Sequence, residues 1–283
     1  MSGWALVAVL WTMVSGIGVP HAPPSSAPND PGAAPHVRLV LIWTEADHPY
    51  GTHMYRFECG LLAKCLNQTP GVEAVVCPDP IWPKNESILD GARGLVFYSR
   101  YAGDIVLSKE HRPRFESLMK SGAGYAALHW STKAEDRALL TDYLEVLGGA
   151  FHSEPGWALE TSTRRLEQID PAHAICRGWL PYDLHDEWYL GMKFHERARP
   201  VLRVTLDSGK SETVAWTFER SLAWGGGRSF GSTLGHFHDN FRRAEFRRAL
   251  VNGVLWSAGV DVPASGARVE LNDEDLRLPP EGK

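Results

Sequence analysis

The sequence has few cysteines and no excess of positive charge. Only 4 of its 283 residues are cysteine, and no two of them have a C-x-x-C spacing, which argues against a structural zinc site. The formal net charge of −5 leaves no basic footprint for nucleic acid. Hydrophobic residues make up 43% of the chain and charged residues 22%, as in ordinary soluble domains. We therefore expect a globular protein that does not bind nucleic acid.

Three signatures of nucleotide-binding proteins and hydrolases are also missing. The order G-x-S-x-G occurs at residues 227–231, but there it begins a predicted strand and forms no strand-to-helix elbow, which argues against a serine hydrolase. No G-x-G-x-x-G follows the first predicted strand, so no dinucleotide cofactor is expected. Residues 224–228 are rich in glycine, but they lack the G-x-x-x-x-G-K order and precede a strand. They are therefore predicted to be a turn and not a phosphate-binding loop.

An apolar run near the N-terminus is too short for a membrane span. Residues 4–19 carry no charged side chain, whereas about 20 apolar residues are needed to cross a bilayer. The run fits the core of a signal peptide better. We predict a signal peptide or anchor at residues 1–22 and a proline-rich linker at residues 23–36. The protein is then exported or periplasmic if the segment is a signal peptide, and otherwise membrane-anchored or cytoplasmic.

The rest of the chain alternates between strand and helix patterns. Residues 37–43 are almost all apolar, as in a strand covered on both faces, and residues 54–65 repeat apolar side chains at helical spacing. Such alternation predicts an α/β fold with a mainly parallel central sheet. After residue 158 the strands are shorter and joined by turns, and a last helix is predicted at about residues 240–258. Residues 263–283 are predicted to be a flexible tail.

Polar side chains concentrate at the predicted strand ends. His129 directly follows the predicted strand at residues 124–128, and ligands of open α/β sheets bind at the carboxyl ends of the strands. Seven of the 12 histidines lie in such end segments. Neutral imidazole is the commonest metal ligand and also a general base near neutral pH. The sequence therefore predicts a histidine-rich site at this edge of the sheet.

The candidate site residues fall into three groups. Candidates for catalysis are His129, with His236 or His53 as its partner or as a metal ligand. Carboxylates beside aromatic rings suit a sugar, because they accept hydroxyl protons while the rings cover its C–H faces. Candidates for substrate binding are Trp130, Ser131, His48, Tyr98, His152, Asp186, Glu187, Trp188, Tyr189 and Arg228. The cofactor is unknown, and a divalent metal is left open, with His129, His236 and His238 as candidate ligands.

Several stretches together resemble the ThuA-like (trehalose utilisation) family. The first stretch is His53 with the helix after it, and the second is residues 122–129. The others are residues 173–180 together with residues 186–189 that follow them, residues 227–236 and residues 252–259. The resemblance spans about residues 37–262. It implies a flavodoxin-like three-layer sandwich related to class I glutamine amidotransferases, but without their catalytic cysteine. His129 stands at the comparable strand-to-helix turn, and residues 155–157 after His152 depart from the family pattern.

The resemblance also implies a role in the catabolism of sugars. Family members are linked to trehalose and related disaccharides, often through 3-keto-sugar intermediates. The first hypothesis is therefore histidine-assisted proton transfer on a disaccharide or keto-sugar, with His129 as the base of an isomerase or lyase. The alternatives are a non-catalytic carbohydrate-binding domain and a metal-dependent hydrolase. The expected ligand is a small carbohydrate, and a homo-oligomer is left open.

Overall fold

A nine-stranded sheet forms the centre of the protein in the computed structural model, which describes residue 1 and residues 36–281. The strands of the chain are β1 (Val37–Trp43), β2 (Val72–Val76), β3 (Gly94–Tyr98), β4 (Gly124–Leu128), β5 (Gly149–Ala150), β6 (Ala158–Gln168), β7 (Tyr182–Leu190), β8 (Lys193–Phe194), β9 (Arg199–Thr205), β10 (Ser211–Glu219) and β11 (Arg228–Ser232). The order in the large sheet is β2-β1-β3-β4-β11-β10-β9-β6-β7, while β5 and β8 pair separately. The predicted signal peptide or anchor, and the predicted linker before His36, lie outside the described residues, apart from Met1.

The sheet has a parallel part and an antiparallel part. Strands β2, β1, β3, β4 and β11 are parallel neighbours. From β11 onward each strand runs antiparallel to the one beside it. The prediction of a mainly parallel sheet with extra strands from the second half is confirmed.

Within residues 36–281, five α-helices cover the two faces of the sheet. They are α1 (Tyr55–Leu66), α2 (Ala102–Val106), α3 (Arg112–Lys120), α4 (Leu140–Leu147) and α5 (Ala244–Ser257). Side chains alternate between the faces of a strand, so Leu39 and Leu41 of β1 pack with α1 and α5, whereas Val40 and Ile42 pack with α2, α3 and α4. The result is the predicted flavodoxin-like three-layer sandwich. Among the described residues, no helix combines the length and the apolar character needed to cross a membrane.

The C-terminal part of the chain differs from its prediction in two ways. The last helix begins at Ala244, because residues 238–242 form a 3₁₀ turn. Residues 263–281 were expected to be a flexible tail, yet they pack against the domain. Their side chains at Ala267, Val269 and Leu276 are only 2%, 2% and 5% exposed. These apolar residues are interspersed with charged ones, which make up 7 of the 19 residues from 263 to 281.

The antiparallel part curls back over the parallel part. Strand β7 is last in the sheet order, yet its Asp186 accepts hydrogen bonds from the backbone N–H groups of Gly235 at 2.9 Å and His236 at 3.0 Å, which follow β11. The curl brings β7 to the carboxyl ends of the parallel strands. Both halves of the sheet therefore border the same site.

Candidate functional site

Three histidines and one glutamate converge at the carboxyl edge of the sheet. His53 Nε2 lies 2.8 Å from His129 Nε2 and 3.0 Å from His236 Nδ1. Glu187 Oε2 lies 3.5 Å from His236 Nδ1 and 3.9 Å from His129 Nε2. The four donor atoms all lie within 4.8 Å of one another, so they could hold one metal ion. The structure thus brings together the three histidines that the sequence singled out for catalysis.

Each member of this cluster comes from a different part of the fold. His129 directly follows β4, as predicted, and Glu187 lies within β7. His53 precedes α1, and His236 lies in the loop after β11. His53 and His129 adopt left-handed backbone conformations, with φ of 48° and 52°, which are uncommon for residues other than glycine. Such strain persists only where the surrounding structure holds it, and it often marks functional sites.

The outer nitrogens of two histidines are held by acceptors, which fixes their tautomers. His129 Nδ1 lies 2.8 Å from the carbonyl oxygen of Thr233, so this nitrogen carries the proton. His53 Nδ1 lies 2.8 Å from Asp47 Oδ1 and 2.8 Å from the Tyr55 hydroxyl. Burial raises the pKa of Asp47, but the hydrogen bonds from His53 and His48 outweigh it and lower that pKa to about 2, so the carboxylate is ionised. Both Nε2 atoms are therefore unprotonated, and they lie 2.8 Å apart.

Burial keeps these two imidazoles neutral. The side chains of His53 and His129 are fully buried. Burial lowers the pKa of His129 well below its ordinary value, and the neighbouring His53 and His236 lower it further. The pKa of His53 is also lowered by burial, although its hydrogen bond to Asp47 acts in the opposite direction. Two neutral imidazoles whose unprotonated nitrogens lie 2.8 Å apart repel each other unless a cation binds to both nitrogens.

Four further predicted residues surround the cluster. His48 contacts His53, with 3.7 Å between the ring centroids, and its Nδ1 lies 2.9 Å from Asp47 Oδ1. Trp130 stacks near His129 at 6.2 Å between centroids. The Tyr189 hydroxyl lies 3.3 Å from His129 Nδ1 and 3.4 Å from Nε2. Asp186 lies behind the cluster. Burial raises its pKa to about 7, although hydrogen bonds from three backbone N–H groups act in the opposite direction.

Three predicted residues support the site without contacting its donors. The Tyr98 hydroxyl donates a hydrogen bond to the carbonyl oxygen of Gly235, next to His236. Ser131 Oγ accepts a hydrogen bond of 2.7 Å from the backbone N–H of Ser99. Trp188 is fully buried and donates from Nε1 to the carbonyl oxygen of Ser162 at 3.1 Å. These side chains position backbone segments.

Three other predicted residues point elsewhere. His238 contacts Glu58 at 3.6 Å and the carbonyl oxygen of Leu276 at 2.8 Å, so it diverges from His236 and is not part of the metal-binding group. His152 Nδ1 lies 2.8 Å from the carbonyl oxygen of Ala134. Arg228 begins β11, at the opposite edge of the sheet, and its guanidinium covers Trp256 at 4.9 Å. Its place at the amino end of a strand removes it from the site.

Sequence reasoning missed the residues that orient the ligands. Asp47, Tyr55 and the carbonyl oxygen of Thr233 contact His53 or His129 but were not predicted as site residues. Asp47 lies in the polar segment after β1, so a signal was present. A backbone carbonyl such as that of Thr233 leaves no signal in the sequence.

The comparison with protein families identifies the chain. The model of the ThuA family, described as Trehalose utilisation, matches residues 39–257. The chain belongs to this family. All four donors of the cluster lie within the matched region. No curated protein matches the chain significantly.

Solved structures of low sequence identity share the fold. A ThuA-like protein from Parabacteroides merdae ATCC 43184 is 17% identical, with a TM-score of 0.61, covering 87% of this chain and 100% of that one. A ThuA-like protein from Bacteroides uniformis ATCC 8492 is 16% identical, also with a TM-score of 0.61, covering 83% and 97%. A cytoplasmic protein from Salmonella typhimurium LT2 is 10% identical, with a TM-score of 0.54, covering 78% and 99%. These similarities support the fold alone.

Proposed function

We propose that this protein is a metal-dependent enzyme that acts on a carbohydrate, with His53, His129, His236 and Glu187 as ligands of one divalent ion. The observation that carries the proposal is the short distance of 2.8 Å between His53 Nε2 and His129 Nε2, both of which are assigned as unprotonated. A divalent cation that binds both nitrogens turns a repulsive contact into two bonds. The neutral imidazoles that burial maintains are the form that metals bind.

The surroundings of the ligands support the same reading. Histidine ligands in metal sites usually donate their other N–H group to a carboxylate or a backbone carbonyl, which orients the ring. Asp47 accepts such a bond from His53, and the Thr233 carbonyl oxygen accepts one from His129. A bound ion would act as a Lewis acid that polarises a carbonyl group or acidifies a hydroxyl group.

The proposal changes the role first expected for His129. A general base needs a free nitrogen within reach of the substrate proton. His129 Nε2 instead faces His53, and its side chain is fully buried. We therefore assign His129 to metal binding and not to proton abstraction. His48 contacts His53 and has a side chain that is 33% exposed, and it is proposed to contact substrate.

The carbohydrate substrate is proposed from family membership. The family description is trehalose utilisation, which points to trehalose or an oxidised derivative of it. Trp130 and Tyr189 lie beside the cluster but are 8% and 0% exposed, so their rings are part of its wall and the carbohydrate assignment rests on the family description. A keto-sugar suits a Lewis acid, because polarising the ketone acidifies the neighbouring C–H group.

Metal analysis and turnover test the proposal together. The full chain, purified without chelators, should hold about one metal ion, and a content below about 0.2 per chain after reloading would refute the metal centre. His129→Asn should lose the ion, whereas His185→Gln, a histidine outside the cluster, should retain it. Proton NMR of trehalose and 3-keto-trehalose with loaded and stripped protein then tests catalysis. Metal binding without turnover would favour a carbohydrate-binding domain.

A further inference from the structure

We propose that the metal centre holds a six-coordinate ion and offers two neighbouring positions to two adjacent oxygen atoms of the substrate. The ligand class is a 1,2-diol or an α-hydroxy-carbonyl compound, bound through both oxygens at once. This inference rests on the proposed metal-dependent function and concerns how the same site selects its substrate.

The kind and number of donors carry the first step. The cluster supplies three imidazole nitrogens and one carboxylate oxygen, and it contains no thiolate. Four protein donors fill the coordination shell of tetrahedral zinc, and filled sites of that kind are structural. Nitrogen and oxygen donors also suit Mn²⁺, Fe²⁺, Co²⁺ and Ni²⁺, which accept six ligands. A six-coordinate ion here keeps two positions for other molecules.

The spacing of the donors agrees with six-coordination. With metal–nitrogen bonds of about 2.1 Å, neighbouring donors lie about 3.0 Å apart around an octahedral ion and about 3.4 Å apart around a tetrahedral one. His53 Nε2 lies 2.8 Å from His129 Nε2 and 3.0 Å from His236 Nδ1. Glu187 Oε2 lies 3.5 Å and 3.9 Å from two of the nitrogens, so its side chain must move toward them to complete the set.

The exposure of the side chains shows where the free positions lie. The side chains of His53 and His129 are fully buried, whereas those of His236 and Glu187 are 11% and 12% exposed. Trp130 stacks at 26° to the His129 ring and is only 8% exposed itself, so it covers the cluster on that side. Both free positions therefore open on the side of His236 and Glu187. Two positions on one side of an ion are adjacent, which suits a chelating ligand.

Sugars carry the matching oxygen pattern. Adjacent ring carbons bear hydroxyl groups, or a hydroxyl beside a ketone after oxidation, and such pairs chelate a metal through a five-membered ring. A simple alcohol or ketone offers one oxygen and gains no such advantage. The site should therefore distinguish ligands by the presence of a second, neighbouring oxygen.

The test counts water molecules on bound Mn²⁺ by water-proton relaxation, using the full chain. We expect about two exchangeable waters on the ion. Hydroxyacetone should displace both at concentrations where acetone displaces neither, and ethylene glycol should differ from ethanol in the same way. Equal effects within each matched pair would overturn the chelation. An ion without exchangeable water would overturn the two free positions.

Variants and a second ion separate this inference from the proposed function. Glu187→Gln should raise the count to about three waters, whereas His185→Gln, which alters a histidine outside the cluster, should leave it at about two. Bound Co²⁺ should show the weak visible absorption of six-coordination. Intense bands of four-coordinate Co²⁺ would overturn this inference and leave the metal centre standing. Failure to bind any divalent ion would overturn both.

Discussion

Asp47 controls the affinity of the proposed metal centre without touching the ion. Its Oδ1 lies 2.8 Å from His53 Nδ1 and 2.9 Å from His48 Nδ1, so Asp47→Asn replaces a charged acceptor shared by two histidines. The asparagine amide can also donate to His53 Nδ1, which would move the ring proton to Nε2, where the metal must bind. Substitution of such orienting partners typically lowers metal affinity 10- to 100-fold, or about 1.4–2.7 kcal/mol.

The loss can be measured by competition with a chromophoric chelator. Asp239→Asn is the matched control, because its side chain is 85% exposed and contacts Arg242 rather than the cluster. The pKa of Asp47 is lowered to about 2, so the wild-type carboxylate stays charged and the affinity ratio should be constant from pH 6 to 8. A dissociation constant within twofold of wild type for Asp47→Asn would refute the assigned tautomers.

Three further predictions follow from strain, burial and packing. His129→Asn should stay folded, whereas His129→Val should lose at least about 1–2 kcal/mol of unfolding free energy, because a β-branched residue tolerates a φ of 52° poorly. Denaturant unfolding of the two metal-free variants measures this difference in stability. Burial raises the pKa of Glu58 above its ordinary 4.5, so this carboxyl group should contribute a fall in unfolding free energy as pH rises above 4.5, by up to about 1.4 kcal/mol per unit. Glu58→Gln should remove that contribution, so unfolding curves at several pH values should show the variant gaining stability relative to wild type as pH rises. Leu276→Ala should cost about 2–5 kcal/mol if the C-terminal segment is packed, and a change below about 0.5 kcal/mol in thermal or urea unfolding would show that it is loose.

The local patterns of the sequence predicted the fold well, because each depends on near neighbours in the chain. Strand β1 at Val37–Trp43 and strand β4 ending at Leu128 were both predicted from apolar runs. His129 was expected at the carboxyl end of β4 and lies there. The last helix was predicted a few residues early, since its apolar repeat does not distinguish the α-helix from the 3₁₀ turn before it.

Residue pairs that depend on distant parts of the chain were harder to predict. Glu187 reaches the histidines only because β7, at the far edge of the sheet, curls back over β11. Arg228 was expected in the site, but Ser229 pairs with Tyr125 near the start of β4, so Arg228 lies at the opposite edge. His238 was expected beside His236, but the 3₁₀ turn directs it toward Glu58. Register and curvature set these positions, and neither is encoded locally.

Backbone strain links the fold to the proposed chemistry. In the part of the chain that the structure describes, His53, Ile81, Tyr101 and His129 are the residues other than glycine with positive φ. Two of them are proposed metal ligands, and Tyr101 packs against Trp130, whose ring adjoins His129. Each such conformation costs of order 1–3 kcal/mol. Ile81 has the same kind of backbone conformation without being a donor of the cluster, so strain alone does not identify a ligand. Two of the four strained residues are nevertheless the two histidines that the donor distances select, so the two observations agree on His53 and His129.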